Sequence, residues 1–286
     1  MNELYTRVSS ATKQVLYQHM KDNVTSLVNY SFNYFFKYCI QENQIQVISH
    51  HFSNHKIEGL TVADELGISF SYERDNPKVK QNFTLCHELG HFILKHSGSY
   101  FAESVDNQED ILEREANIFS AVVLMPDIVL LSKIYYNCET FQRVQNSLEV
   151  SKQALFFRLL DFLREYYSGR DSEIKQAVET YIEGKNASIF RLFHDIREQI
   201  IEEFHQFQPS LINQVKQRVK KVGFVTSLEY PELSNQDNWQ AIKASSINLK
   251  TWLVYNKGKS IAYVWDKKRF SDEEAKKKAE LQLLLM

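Results

Sequence analysis

The stretch FTLCHELGHFILKH, residues 83–96, decides how this chain is read. Two imidazoles at i and i+4 of a helix sit about 40° apart around its axis and one turn along it, so His87 and His91 can reach one metal ion. Glu88 lies beside them, where it can take a proton from a water held by that ion. At about 100° per residue, His87, Glu88 and His91 occupy one polar wedge. Phe83, Leu85, Cys86, Leu89, Gly90, Phe92, Ile93 and Leu94 fill the remaining circumference. Such a helix belongs inside a domain with its wedge bordering a cleft, whereas a surface helix would show a broad polar face.

A zinc peptidase needs a third protein ligand and an open fourth position. His96 fails the spacing of the extended HExxHxxGxxH pattern, because the chain has Leu94 and Ser97 where glycine and histidine are required. On the wheel it points away from the wedge, and it reads as a histidine favoured at a helix C-terminus by the dipole. The next helical stretch, ILEREANIFSAVVLMP (111–126), offers two carboxylates. Glu115 falls at the centre of an apolar face with Ile111, Leu112, Ile118, Phe119 and Val122. A carboxylate buried there needs a cation or a set of donors. Glu115 is therefore the expected third ligand, with a buried salt bridge, for instance to an arginine, as the alternative. Glu113 falls opposite, with Asn117 and Ser120, and reads as a solvated surface charge. For a donor to the transition-state oxyanion, Tyr72, His96 and Tyr100 are all candidates.

These motifs carry a resemblance. FTLCHELGHFILKH followed by EREANIFSAVVLMP resembles the signature of the ImmA/IrrE metallopeptidases over roughly residues 40 to 165. The resemblance implies a zincin-like fold of the gluzincin type, with zinc (or manganese in vitro) held by His87, His91 and Glu115 and with Glu88 as base. It also implies a substrate: a helix-turn-helix repressor whose cleavage lifts repression of a phage, a mobile element or a stress regulon.

Outward from the motifs, the chain reads as α+β. Residues 5–38 show helical spacing, and QIQVIS (44–49) and ISFSY (68–72) read as strands, the latter a candidate for pairing with extended substrate. Asn76 is the expected cap of the HELGH helix, with Pro77 at its first position. ESVDNQED (103–110) reads as an acidic loop, and Pro126 ends the helix that follows it. Residues 127–165 read as short helices, of which 141–163 could form a helix-turn-helix-like pair capped at Ser151. Its few basic residues, Arg143, Lys152 and Arg158, favour packing on the core over DNA contact. A charged helical stretch over 172–221 breaks near Gly184 and Pro209, and TWLVY (251–255) and SIAYVW (260–265) flank a hairpin turn. The expected domains are 1–168, a zincin-like peptidase, and 169–286, a recognition or regulatory unit that could also mediate self-association.

Composition bounds the alternatives. Lys+Arg 34 against Asp+Glu 36 gives a net charge of -2, which disfavours direct nucleic-acid binding by the chain as a whole. Three scattered cysteines, an N-terminus without a signal pattern and the lack of a long apolar run point to the cytoplasm and away from a membrane. Against the peptidase stand a metal-binding protein that sequesters the repressor without cutting it, and a DNA-binding regulator. An intact Glu88 argues against the first, since a pure binder has no need of a base.

Overall fold

Phe70, fully buried, fixes the orientation of the main sheet. The computed structural model describes residues 3–51, 57–65, 67–96, 100–104 and 111–285. Four strands, β1 (Gln46–His50), β2 (Ile57–Asp64), β3 (Gly67–Glu73) and β4 (Tyr100–Ser104), pair in the order β1-β3-β2-β4. β1 runs parallel to β3, while β2 is antiparallel to both β3 and β4. Alternation along β3 sends Ile68, Phe70 and Tyr72 into the core, as the spacing predicts, and Phe70 lies 6.4 Å from Phe92. Thr61 pairs with Phe70 across the β2–β3 ladder and therefore shares its face. β2 and β4 have no counterpart in the strands expected from the sequence. Residues 105–110 of the expected acidic loop lie outside the described residues.

Ahead of the sheet come α1 (Glu3–Asp22) and α2 (Phe32–Glu42), not one helix over 5–38. Ser31 caps α2, and the intervening Val24 and Val28 are exposed, so their spacing was misleading. The HELGH helix is α3 (Lys78–Ile93); Pro77 itself occupies the cap position that Asn76 was expected to fill. Next is α4 (Ile111–Leu124). Beyond Pro126 follow α5 (Asp127–Leu130), a π-helical turn (Leu131–Tyr136), α6 (Phe141–Ser147) and α7 (Lys152–Tyr166), with Ser151 capping α7 as expected. The α6–α7 pair buries Leu148, Val150, Leu155, Leu159 and Leu160, and Arg158 is buried with them. Among the described residues one helical run, Ile111–Tyr136, is long and apolar enough to cross a membrane, and most of it is buried inside the protein.

The division of the chain needs correction. Two compact units meet at Phe207/Gln208, whereas 168/169 was expected. Helices α8 (Asp171–Ile182) and α9 (Ala187–Gln206) bury Ile174, Val178, Tyr181, Leu192, Phe193 and Ile196 in the same core as α3 and α4. Most of their charges lie on the outer face, apart from Glu203, which pairs with the buried Lys13, and the Ser168-Gly169-Arg170 turn is an ordinary short link between helices.

The second unit is a three-stranded antiparallel sheet of β5 (Phe224–Thr226), β6 (Leu249–Asn256) and β7 (Lys259–Asp266), in the order β5-β7-β6. Lys257 and Gly258 turn the β6–β7 hairpin with positive φ, the conformation that a tight hairpin loop demands. Helices pack on both faces of the sheet, although Trp252 and Tyr255 of the edge strand β6 stay exposed. Val225, Ala262 and Val264 pack with Val215, Val219 and Ile242 of α10 (Leu211–Val222) and α11 (Gln236–Ala244). Ile261, Tyr263 and Trp265 pack with Ala275, Ala279 and Leu283 of α12 (Asp272–Leu284).

Candidate metal centre

The site begins with a glycine. A Cβ at Gly90 would stand 3.1 Å from Phe119 Cδ1 and 3.2 Å from Ala116 Cα, so only glycine lets α3 and α4 approach this closely. The approach sets Glu113, Ala116 and Asn117 of α4 against α3. His87 Nε2 then lies 3.1 Å from Glu113 Oε2, and His91 Nε2 lies 3.4 Å from Glu113 Oε1. The two Nε2 atoms are 2.9 Å apart. One donor atom from each of the three residues falls within 4.8 Å of the others, and both imidazoles are buried.

Two sequence expectations change here. The carboxylate beside His87 and His91 is Glu113, not Glu115. The wheel located the polar stripe correctly but gave it to solvent; polar faces of two helices can instead be buried against each other, and Asn117, one turn on from Glu113, marks this one. Glu115 is buried as expected, but it bonds Arg7 and, at 2.9 Å, His96 Nε2, which is the salt-bridge alternative. The second change is at His96. The helical wheel ceases to apply after Ile93: Lys95 takes a positive φ, and the His96 N–H bonds the His91 carbonyl at 3.0 Å, a Schellman-type ending. That turn brings His96 back beside His91, with their Nδ1 atoms 2.9 Å apart.

The donor set fits a cation. Asn117 Oδ1 lies 3.0 Å from His87 Nδ1 and can only accept, so that nitrogen carries the proton and Nε2 presents its lone pair to the cluster. Burial alone would raise the Glu113 carboxyl, but with both imidazoles protonated and no metal bound, their hydrogen bonds and charge hold it at about 2; a cation in the cluster would take the place of those Nε2 protons. Burial pushes His91 below the usual histidine range, against the pull of Glu113. An ionised carboxylate facing two imidazole nitrogens attracts either a proton or a metal ion. A second group, His51, Glu73 and Asp75, is more exposed, and His51 Nδ1 pairs with Asp75 Oδ2 at 2.9 Å.

Glu88 is fully buried on α3, and the Thr61 hydroxyl of β2 donates to its Oε2. Sequence reading missed Thr61, because nothing local links residue 61 to residue 88. Of the oxyanion candidates, Tyr72 packs on the core and His96 backs His91 from its Nδ1 side. The side chain of Tyr100 lies outside the described residues. β3 is paired on both sides over Ser69–Tyr72, which leaves that stretch no free ladder for a substrate strand; among the described residues the sheet edges are β1 and β4.

Residues 40–160 match the family model described as the IrrE N-terminal-like domain, a peptidase family. This stretch belongs to that family. Comparison with curated proteins finds no match to the chain. The IrrE-like domain is zincin-like and supports a metallopeptidase role, and its span holds His87, Glu88, His91 and Glu113. Residues outside it also contribute: Arg7 on α1 bonds Glu115, and the apolar faces of α1, α2, α8 and α9 complete its core.

Proposed function

We propose that this protein is a cytoplasmic zinc endopeptidase that cuts a helix-turn-helix transcriptional repressor. The observation that carries the reading is the convergence of His87, His91 and Glu113 with Glu88 held beside them by Thr61. Two imidazoles and one carboxylate are a donor set suited to catalytic zinc, with manganese as a substitute in vitro. A zinc ion there supplies a Lewis acid for the scissile carbonyl and for the attacking water. Glu88 takes the proton from that water as its oxygen attacks the carbonyl carbon, and returns it to the amine as the C–N bond breaks. The Thr61 hydroxyl fixes one oxygen of that carboxylate. The choice of repressor as substrate rests on the ImmA/IrrE resemblance.

Residues 208–286 carry the recognition or self-association role in this reading. Trp252 and Tyr255 stand exposed on β6, an edge strand of their sheet.

The test is incubation of zinc-loaded protein with the repressor encoded nearby. Two defined fragments are expected, and none with Glu88→Gln. A tight complex with intact repressor would replace the peptidase with a sequestering protein.

A further inference from the structure

We infer that His96 is a positioning residue for His91, at the inner end of a hydrogen-bond chain, Arg7–Glu115–His96–His91, that keeps His91 Nε2 directed into the metal cluster. The inference rests on the metallopeptidase reading above and adds what holds the second imidazole in place.

The direction of the chain follows from its outer members. The Arg7 guanidinium can only donate, and the Glu115 carboxylate that it bonds can only accept. His96 Nε2, 2.9 Å from Glu115 Oε2, must therefore be the donor in that contact. In the Nε2–H tautomer that this contact selects, His96 accepts at Nδ1, and its partner there, 2.9 Å away, is His91 Nδ1. His91 Nδ1 is thereby the N–H, and its Nε2 keeps a lone pair for the cluster. The opposite tautomer of His91 would place a proton where the ligand atom is needed. His87 reaches the same state by a shorter route, through the amide oxygen of Asn117. The two imidazoles are thus oriented by different devices: α4 serves His87 directly, and serves His91 through Glu115 and a residue just past the end of α3.

Backbone geometry sets the position of His96. Lys95 adopts a left-handed φ of 58°, which a lysine takes at a cost that glycine would avoid. That conformation places His96 beside His91, and the His96 side chain is buried.

The experiment uses the full chain with zinc and with cobalt as probes. Competition with a chelator should show zinc bound about 10–100-fold more weakly by His96→Ala than by wild type, the usual range for losing a partner of a ligand histidine. In the cobalt-loaded wild type, each ligand imidazole should give a paramagnetically shifted, exchangeable N–H proton resonance. His96→Ala should lose or shift the resonance from His91 and leave the one from His87. The rescue variant is His96→Asn, whose amide oxygen occupies the place of Nδ1 and copies Asn117; it should recover most of the affinity and the resonance. Should His96→Ala fail to fold, Glu115→Gln serves instead, since an amide can donate as well as accept and so releases the tautomer; a loss of about 10-fold is expected. Wild-type affinity with both resonances unchanged in these variants would overturn the inference while leaving the peptidase reading intact. Failure of the wild type itself to take up zinc or cobalt would instead bring down the peptidase reading.

Discussion

The cluster around Asp127 and the cluster around Glu113 are built from similar side chains in the same unit, yet they differ in what neutralises them. Asp127 is fully buried between Lys13 of α1 and Arg158 of α7; its contact with Lys13 Nζ is 2.6 Å. Burial would raise its carboxyl, but those two cations hold it below the ordinary range. Arg158 also bonds the Met125 carbonyl at 3.1 Å and the Tyr5 hydroxyl at 2.7 Å, while Lys13 reaches Glu203 at 3.0 Å. This cluster is completed by the protein's own cations. Around Glu113 the contacts to the carboxylate come from imidazoles, and the guanidinium of Arg7 is bonded to Glu115 instead. A carboxylate closed by lysine and arginine has a fixed charge and a structural role. One whose partners among the described residues are histidines is left to be completed by a proton or a metal ion.

The comparison can be broken by substitution. The largest effect is expected at the incomplete cluster. Glu88→Gln should cost about 10²–10⁴-fold in peptide cleavage while zinc content stays at wild-type level, because Glu88 lies outside the donor set. Glu113→Ala should lose the metal as well, by elemental analysis, whereas Glu115→Ala should retain it with reduced affinity. Retention by Glu113→Ala together with loss in Glu115→Ala would reverse the ligand assignment. Neither loss should be matched by a comparable loss of fold stability.

The complete cluster should behave in the opposite way. Arg158→Met leaves Asp127 with one cation fewer in a dry site and should destabilise the fold by about 3–5 kcal/mol in urea titration. A variant as stable as wild type would show that the cluster is better solvated than its burial indicates.

Gly90→Ala tests the contact that assembles the incomplete cluster. Its methyl group would press on the backbone of Ala116, so a loss of about 1–3 kcal/mol is expected together with weakened zinc binding, as α4 shifts away from α3. Unchanged metal affinity would mean that the helix spacing has slack at the site.

The smallest effect concerns pH. Burial raises the Glu165 carboxyl, beside the Asp127 cluster, from 4.5 to about 7. The folded protein then holds a proton that the unfolded chain has already released, so the stability Glu165 contributes is present below about 4.5 and declines as pH rises toward about 7. Glu165→Gln should gain stability relative to wild type across that interval in paired denaturant titrations. A constant difference between the two proteins would show that Glu165 does not titrate there.

How far the sequence reached depends on the range of the forces involved. Periodicity within one helix placed His87, Glu88 and His91 on a single buried wedge, and capping chemistry placed Ser151 ahead of α7. Alternation placed β3 and the β6–β7 hairpin. Each of those readings is local. A helical wheel fixes the angle between two side chains on one helix, but not which way the helix is turned toward its neighbours. The choice between Glu113 and Glu115 was therefore made by the approach of α3 to α4 at Gly90. In the same way, the return of His96, the support of Glu88 by Thr61 and the membership of α8 and α9 in the first core depend on residues distant in sequence. Only packing and a left-handed turn at Lys95 bring those groups together.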